Sequence, residues 1–159
     1  MRDRRTSVKP HPVEAVADSG TNVLFDMWLA MRSTTSLLDT ALAPSGLTAD
    51  EFGVYSVLTS ADTLTPTDLA IWMSAPPTTV SSYVKRIESR GHLTRERNPN
   101  DGRSYVLRLT AAGTRAHAAA VEAFVPVLRR VVDELDGDEP RVRSSLQTMR
   151  VAVEAVIAG

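Results

Sequence analysis

The 159-residue chain contains no cysteine, which excludes disulfides, thiolate metal sites and thiol redox chemistry. Aromatic residues are only 5% of the sequence, and the Ala, Val and Leu that take their place favour a helical core. No apolar run approaches the roughly 20 residues that cross a bilayer, and the charged N-terminus MRDRRTSVKPHPVEAVADSG lacks the apolar segment and cleavage site of a signal peptide. A cytoplasmic protein without membrane association is expected. There is no nucleophile-base motif, phosphate loop or metal cluster, and His11, His92 and His117 lack ligand spacing, so neither an enzyme nor a cofactor is expected.

Net charge is also small, −1, but it is segregated. Residues 77–108 carry seven cations (Lys85, Arg86, Arg90, Arg95, Arg97, Arg103, Arg108) against three anions (Glu88, Glu96, Asp101), a local +4. The remainder sums to −5, and residues 21–76 hold one cation, Arg32, against six anions. A basic segment in an acidic protein implies one face for a polyanion.

What is present is helical periodicity punctuated by caps. Residues 1–20, with Pro10 and Pro12, read as a flexible arm. Val23, Leu24, Met27, Trp28 and Met31, then Leu37, Leu38 and Leu42, trace a long helix that Pro44-Ser45-Gly46 ends. Thr48 and Glu51 form a capping box for a second helix with Phe52, Tyr55, Val57 and Leu58 on its apolar side. Thr65-Pro66-Thr67-Asp68 opens a short third helix to about Met73. A fourth runs from Pro77 to a stop at Gly91 and lacks a side-chain cap, because Pro76 precedes it. Strands are expected near 92–97 and 104–109, followed by a helix from Thr110 to about Leu135 that Pro126 should bend. An acidic loop at 133–139 and a last helix over about 140–157 complete the chain.

Two short helices, a tight turn, a third helix and a hairpin make a winged helix-turn-helix. On the fourth helix, Val80, Tyr83, Val84 and Ile87 cluster on one side, while Thr78, Ser82, Lys85 and Ser89, flanked by Ser81 and Arg86, fall on the other. Small hydroxyl residues let a helix sit deep in a major groove, and Lys85 and Arg86 add positive charge. At the hairpin, Asp101-Gly102 is a turn signal, and Asp101 and Arg103 can pair, holding the arginine ready for a narrow minor groove.

Residues 69–113, LAIWMSAPPTTVSSYVKRIESRGHLTRERNPNDGRSYVLRLTAAG, resemble the winged-helix core of the MarR family of bacterial transcription regulators. The resemblance rests on TTVSSYVKRIESRGHL, the Asp101-x-Arg103 wing signature and Leu109-Thr110 followed by Gly113, and the helical plan extends it over roughly 21–157. It implies a mainly α fold with a small β-hairpin wing: an N-terminal dimerisation helix at 21–47, a DNA-binding domain at 48–110 and C-terminal dimerisation helices at 111–159. Apolar terminal helices outside a winged-helix core independently favour a second copy.

The implied function is a homodimeric regulator, a repressor, with helix 77–90 in the major groove and wing 98–104 in the minor groove of double-stranded DNA at a pseudo-palindromic operator. Its contacts would be Thr78, Thr79, Ser81, Ser82, Lys85, Arg86 and Arg103, with Asp101 supporting the wing. Gly102 stands where many members have a basic residue. Trp28, Met31, Tyr55 and Trp72 would line a pocket for a small aromatic effector, although core packing is the commoner fate of such residues. The alternative function is a winged helix that binds protein without specific DNA recognition.

Overall fold

Polar caps and left-handed turns decide where the helices start and stop. The computed structural model describes residues 22–61, 63–99 and 101–159; the N-terminal arm expected at 1–20, with His11, lies outside them. Helix α1, Val23–Leu42, begins at Asn22, whose Oδ1 accepts the N–H groups of Leu24 and Phe25 at 3.1 and 3.2 Å. A 3₁₀ turn, Ala43–Ser45, then closes on Gly46 at φ 73°. Helix α2, Ala49–Ser60, carries the Thr48–Glu51 capping box. Helix α3, Pro66–Trp72, carries its counterpart from Thr65 and Asp68, and the Thr65 hydrogen bonds hold the Asp68 carboxyl below its ordinary pKa.

Helix α4, Pro77–Ser89, starts at Pro76 without a side-chain cap. The turn before it uses Ser74 at φ 47°. The Ser74 N–H donates to the Ile71 carbonyl and the Ala75 N–H to the Ala70 carbonyl, a Schellman closure with serine in the place glycine usually takes. Helix α4 ends by the same device. There Gly91, at φ 70°, donates to Glu88 and His92 donates to Ile87.

Strands β1, Leu93–Arg97, and β2, Tyr105–Leu109, pair antiparallel with Leu93 opposite Leu109 and Arg97 opposite Tyr105. The Leu107 N–H also donates to the Leu64 carbonyl at 2.8 Å, which ties the hairpin to the segment between α2 and α3. Helix α5, Ala111–Glu134, is capped by the Thr110 hydroxyl, which accepts from the Gly113 N–H at 3.1 Å, and it continues through Pro126. Helix α6, Glu139–Ala158, follows. The acidic loop is shorter than expected, since Asp133 and Glu134 complete α5. Asp136 and Gly137, both at positive φ, make the turn.

The described residues fall into two units, 22–37 and 38–159. In the first, Val23, Leu24, Trp28 and Met31 are exposed, and the Phe25 and Trp28 rings stack at 5.7 Å. In the second, Leu42, Val54, Tyr55, Leu69, Val80, Val84 and Ile87 form the dry centre.

Gly113 is where α5 meets the hairpin most closely. A Cβ there would lie 2.1 Å from the His92 carbonyl oxygen, and backbone atoms cannot swing aside. Gly113→Ala is therefore expected to cost about 3 kcal/mol, while Ser74→Gly, which relieves a left-handed serine, should gain about 0.5 kcal/mol. Urea denaturation of both variants checks the opposite signs.

Against α2, His117 of α5 stacks on Phe52 at 5.6 Å and faces the Ser56 and Thr59 hydroxyls at 3.1 and 3.3 Å. Burial pushes its imidazole below the ordinary value of 6.5. Folding therefore favours the neutral ring: this stability is present above the unfolded value and is lost as pH falls through the lower folded one. The wild-type protein should lose more stability than His117→Gln between pH 7.5 and pH 5, and equal losses in paired denaturant titrations would contradict the assignment.

Candidate nucleic-acid interface

Helix α4 separates its two faces cleanly. Val80, Val84 and Ile87 are buried and Tyr83 is half-buried, while Thr78, Thr79, Ser81, Ser82, Lys85 and Arg86 are exposed. The Ser82 and Ser89 hydroxyls donate to the Thr78 and Arg86 carbonyls of their own helix, leaving oxygen lone pairs outward. Among the described residues, the side chains of Thr78, Thr79, Ser81 and Lys85 have no hydrogen-bond or ion-pair partner.

The helix is held in place by a carboxylate beneath it. Glu51, 1% exposed, accepts the Thr48 N–H at Oε2 and receives Arg90 Nη1 on the same oxygen at 3.1 Å. Its Oε1 lies 3.4 Å from Arg86 Nη1. At that geometry the pair is ionic, and Oε1 has no hydrogen bond among the described residues. Glu51 first, and Tyr55 after it, raise the Arg90 pKa, and the Tyr55 hydroxyl is 2.8 Å from His92 Nδ1. Burial, ahead of any other influence, raises the Tyr55 phenol pKa. A parallel link joins α4 to the start of α2: the Tyr83 hydroxyl donates to Asp50 Oδ2 at 2.7 Å. Burial first, and the Asp50 carboxylate second, push that phenol up to about 12, so it stays a donor, with Arg86 lying over its ring.

The hairpin treats its arginines unequally. Arg95 makes two hydrogen bonds to Glu88, at 3.1 and 2.9 Å, and covers the Tyr105 ring. Arg108 pairs with Glu96 at 2.7 Å. Together with Arg86 and Arg90 on Glu51, four of the seven cations of this segment are therefore tied within the protein. The other three, Lys85, Arg97 and Arg103, make no ion pair among the described residues.

The expected side-chain pairing of Asp101 with Arg103 takes another form. Asp101 Oδ1 accepts the Arg103 backbone N–H at 3.0 Å, so the acid shapes the turn and leaves the guanidinium unpaired. Asn98 and Ser104 close the base of the wing, Asn98 N–H donating to the Ser104 carbonyl at 3.1 Å. Sequence reasoning treated Glu51 only as a cap and gave Arg97 no role. The N3 position of a capping box signals a local bond, and nothing in it announces a buried counter-charge.

The four residues considered for an effector have different settings. Trp28 and Met31 are exposed on α1, Trp72 is exposed on α3, and Tyr55 is fully buried with its hydroxyl at His92. A separate groove of about 770 Å³ opens beside the start of α4, lined by Ala70, Ile71, Pro76, Pro77, Ser81 and Ile157 among others. Among the described residues no group of acids and histidines could hold a metal ion, and no helix is long and apolar enough to cross a membrane.

The Glu51 network makes an asymmetric prediction. Arg90→Ala leaves the buried carboxylate with the Thr48 amide and, of its two cations, only the more distant Arg86, and should cost about 3 kcal/mol. Glu51→Gln keeps an acceptor for Thr48 and lets two half-exposed arginines rehydrate, and should cost about 2 kcal/mol. Chemical denaturation of the two variants tests this order, and a larger loss in Glu51→Gln would contradict it.

Known proteins share both the sequence pattern and the fold of this region. Residues 45–104 match the MarR family. The HTH-type transcriptional repressor Rv2887 of Mycobacterium tuberculosis is 35% identical over 85 residues, which span 54% of this chain and 60% of that protein; the chain thus aligns with less than two thirds of that relative. The HTH-type regulator YdcH of Bacillus subtilis is 28% identical over 111 residues, 67% of this chain and 73% of that one. Among solved structures, the M. tuberculosis transcriptional regulator MosR in complex with DNA superposes with a TM-score of 0.76 at 28% identity, covering 86% of this chain and 98% of that chain. MarR of E. coli shares the fold, with a TM-score of 0.69 over 81% of this chain and 96% of that one, at 22% identity. With its capped short helices, dry-backed α4 and antiparallel wing, the chain is a winged helix-turn-helix similar to the MarR family over residues 45–104.

Proposed function

We propose that the chain is a cytoplasmic, homodimeric transcription regulator, a repressor, that binds double-stranded DNA sequence-selectively. The observation that carries this is the exposed face of α4, where unpartnered Thr78, Thr79, Ser81 and Lys85 stand on a helix whose opposite face is anchored in the core. Such a helix can enter a major groove and bond base edges or phosphates. Arg103, at the wing tip with no ion pair among the described residues, suits the negative potential of a minor groove. Two similar proteins agree with this, Rv2887 being a transcriptional repressor and MosR a regulator solved in complex with DNA.

Dimerisation is supported by apolar surface that none of the described residues covers. Helix α6 buries none of its residues, and Leu146, Val151, Val156 and Ile157 are exposed; on α1, so are Val23, Leu24, Trp28 and Met31. A symmetric dimer would present its two α4 helices to half-sites about one DNA turn apart. A small aromatic effector remains part of the proposal. The apolar groove beside α4 suits such a ligand because it includes Ser81, so an occupant would compete with the DNA-facing surface.

Selection of genomic fragments by the purified protein, followed by footprinting, should recover a pseudo-palindromic site. Failure to enrich any sequence at moderate salt would overturn the regulator function. On the recovered duplex, Lys85→Ala and Arg103→Ala should each weaken binding and remove about one ion per protomer from the salt dependence, and unchanged slopes for both would overturn the docking.

A further inference from the structure

We infer that Arg97 is a second DNA-contacting cation of the wing, and that Gly102 is the residue that makes room for it. The inference rests on the DNA-binding function proposed above and adds a residue to which neither the wing signature nor the recognition helix points.

Three observations converge on Arg97. The first is its freedom: it is exposed, and it has no ion pair among the described residues, whereas Arg95 and Arg108 on the same hairpin are held by Glu88 and Glu96. The second is its direction. Side chains alternate along a strand, so Leu93, Arg95 and Arg97 share one face of β1. Leu93 is buried on that face, and Arg95 crosses from it to Glu88 of α4. Arg97, one pleat nearer the tip, therefore projects on the side of the hairpin that carries the recognition helix.

The third observation is Gly102. Its φ lies outside the left-handed region, so the backbone itself does not require glycine, and the Asp101-Gly102 pair is not acting as the turn type it advertises. What a side chain at 102 would meet is Arg97: a Cβ there would stand 3.2 Å from Nη2, 3.7 Å from Nε and 3.8 Å from Cζ. The guanidinium is thus laid across the glycine. A wing with glycine at 102 lacks a cation of its own at that position, and Arg97 delivers one from the strand to the same spot. Arg97 and Arg103 then bracket the turn as two uncommitted guanidinium groups, both suited to phosphate oxygens or to the floor of a narrow minor groove.

The test is a double-substitution cycle read by equilibrium binding of the full 159-residue chain to the selected duplex across a salt series. Arg97→Gln should weaken binding about fivefold per protomer at 0.15 M salt and lower the slope by about one, with its melting temperature unchanged. Gly102→Arg, which places a cation at 102 and displaces Arg97, should bind at least as well as wild type. In that background Arg97→Gln should have less than half its original effect on log affinity. If the unsubstituted chain binds duplex DNA but Arg97→Gln leaves affinity and slope unchanged, the inference fails and the regulator function stands. Equal effects of Arg97→Gln in both backgrounds would overturn the shared position at Gly102. If the unsubstituted chain binds no DNA, both fall together.

Discussion

A carboxylate removed from water sets the terms for the rest of the winged helix. Glu51 is 1% exposed, and a buried charge is tolerable only when it is paired and hydrogen-bonded. The chain meets that condition with the Thr48 amide on one side and two arginines of α4 on the other. Because Arg86 and Arg90 lie one turn apart, satisfying Glu51 fixes the rotation of α4 about its axis as well as its distance from α2. The buried stripe of Val80, Val84 and Ile87 selects the same rotation. Apolar packing and charge pairing thus agree on which face of α4 is left outside.

That agreement explains how a protein of net charge −1 can offer a cationic surface. Carboxylates do not blanket the basic segment; each is placed against a particular arginine. Glu51 receives Arg86 and Arg90, Glu88 receives Arg95, and Glu96 receives Arg108. Asp101 spends its oxygen on a backbone amide. Within residues 77–108, unpaired positive charge therefore lies at Lys85 on α4 and at Arg97 and Arg103 on the wing, while acidic residues elsewhere discourage indiscriminate contact with polyanions.

Local signals were legible in the sequence because local physics produces them. Thr48, Thr65 and Thr110 cap helices through hydrogen bonds spanning three residues, Gly91 ends α4 by its left-handed conformation, and the α4 face follows from 100° periodicity. The features that escaped depend on distant partners. The burial of Glu51, the Leu107–Leu64 hydrogen bond and the 2.1 Å approach behind Gly113 each require knowing what the fold brings alongside. Gly113 was recognisable as part of a family pattern, but its physical reason is the His92 carbonyl. The Asp101-Gly102 dipeptide misled in the opposite sense: a standard turn signal is present, yet the seven-residue connection at 98–104 closes through Asn98, Asp101 and Ser104 instead.

The central claim is that internal pairing divides the arginines into those that hold the fold and those that face a polyanion. Its most direct test is the salt dependence of DNA binding for a chain in which Arg95 and Arg108 are both replaced by glutamine. If their charges are already answered by Glu88 and Glu96, the slope of log affinity against log salt should match that of the wild type. A slope lowered by about two ions per chain would show these arginines on the DNA and contradict the division.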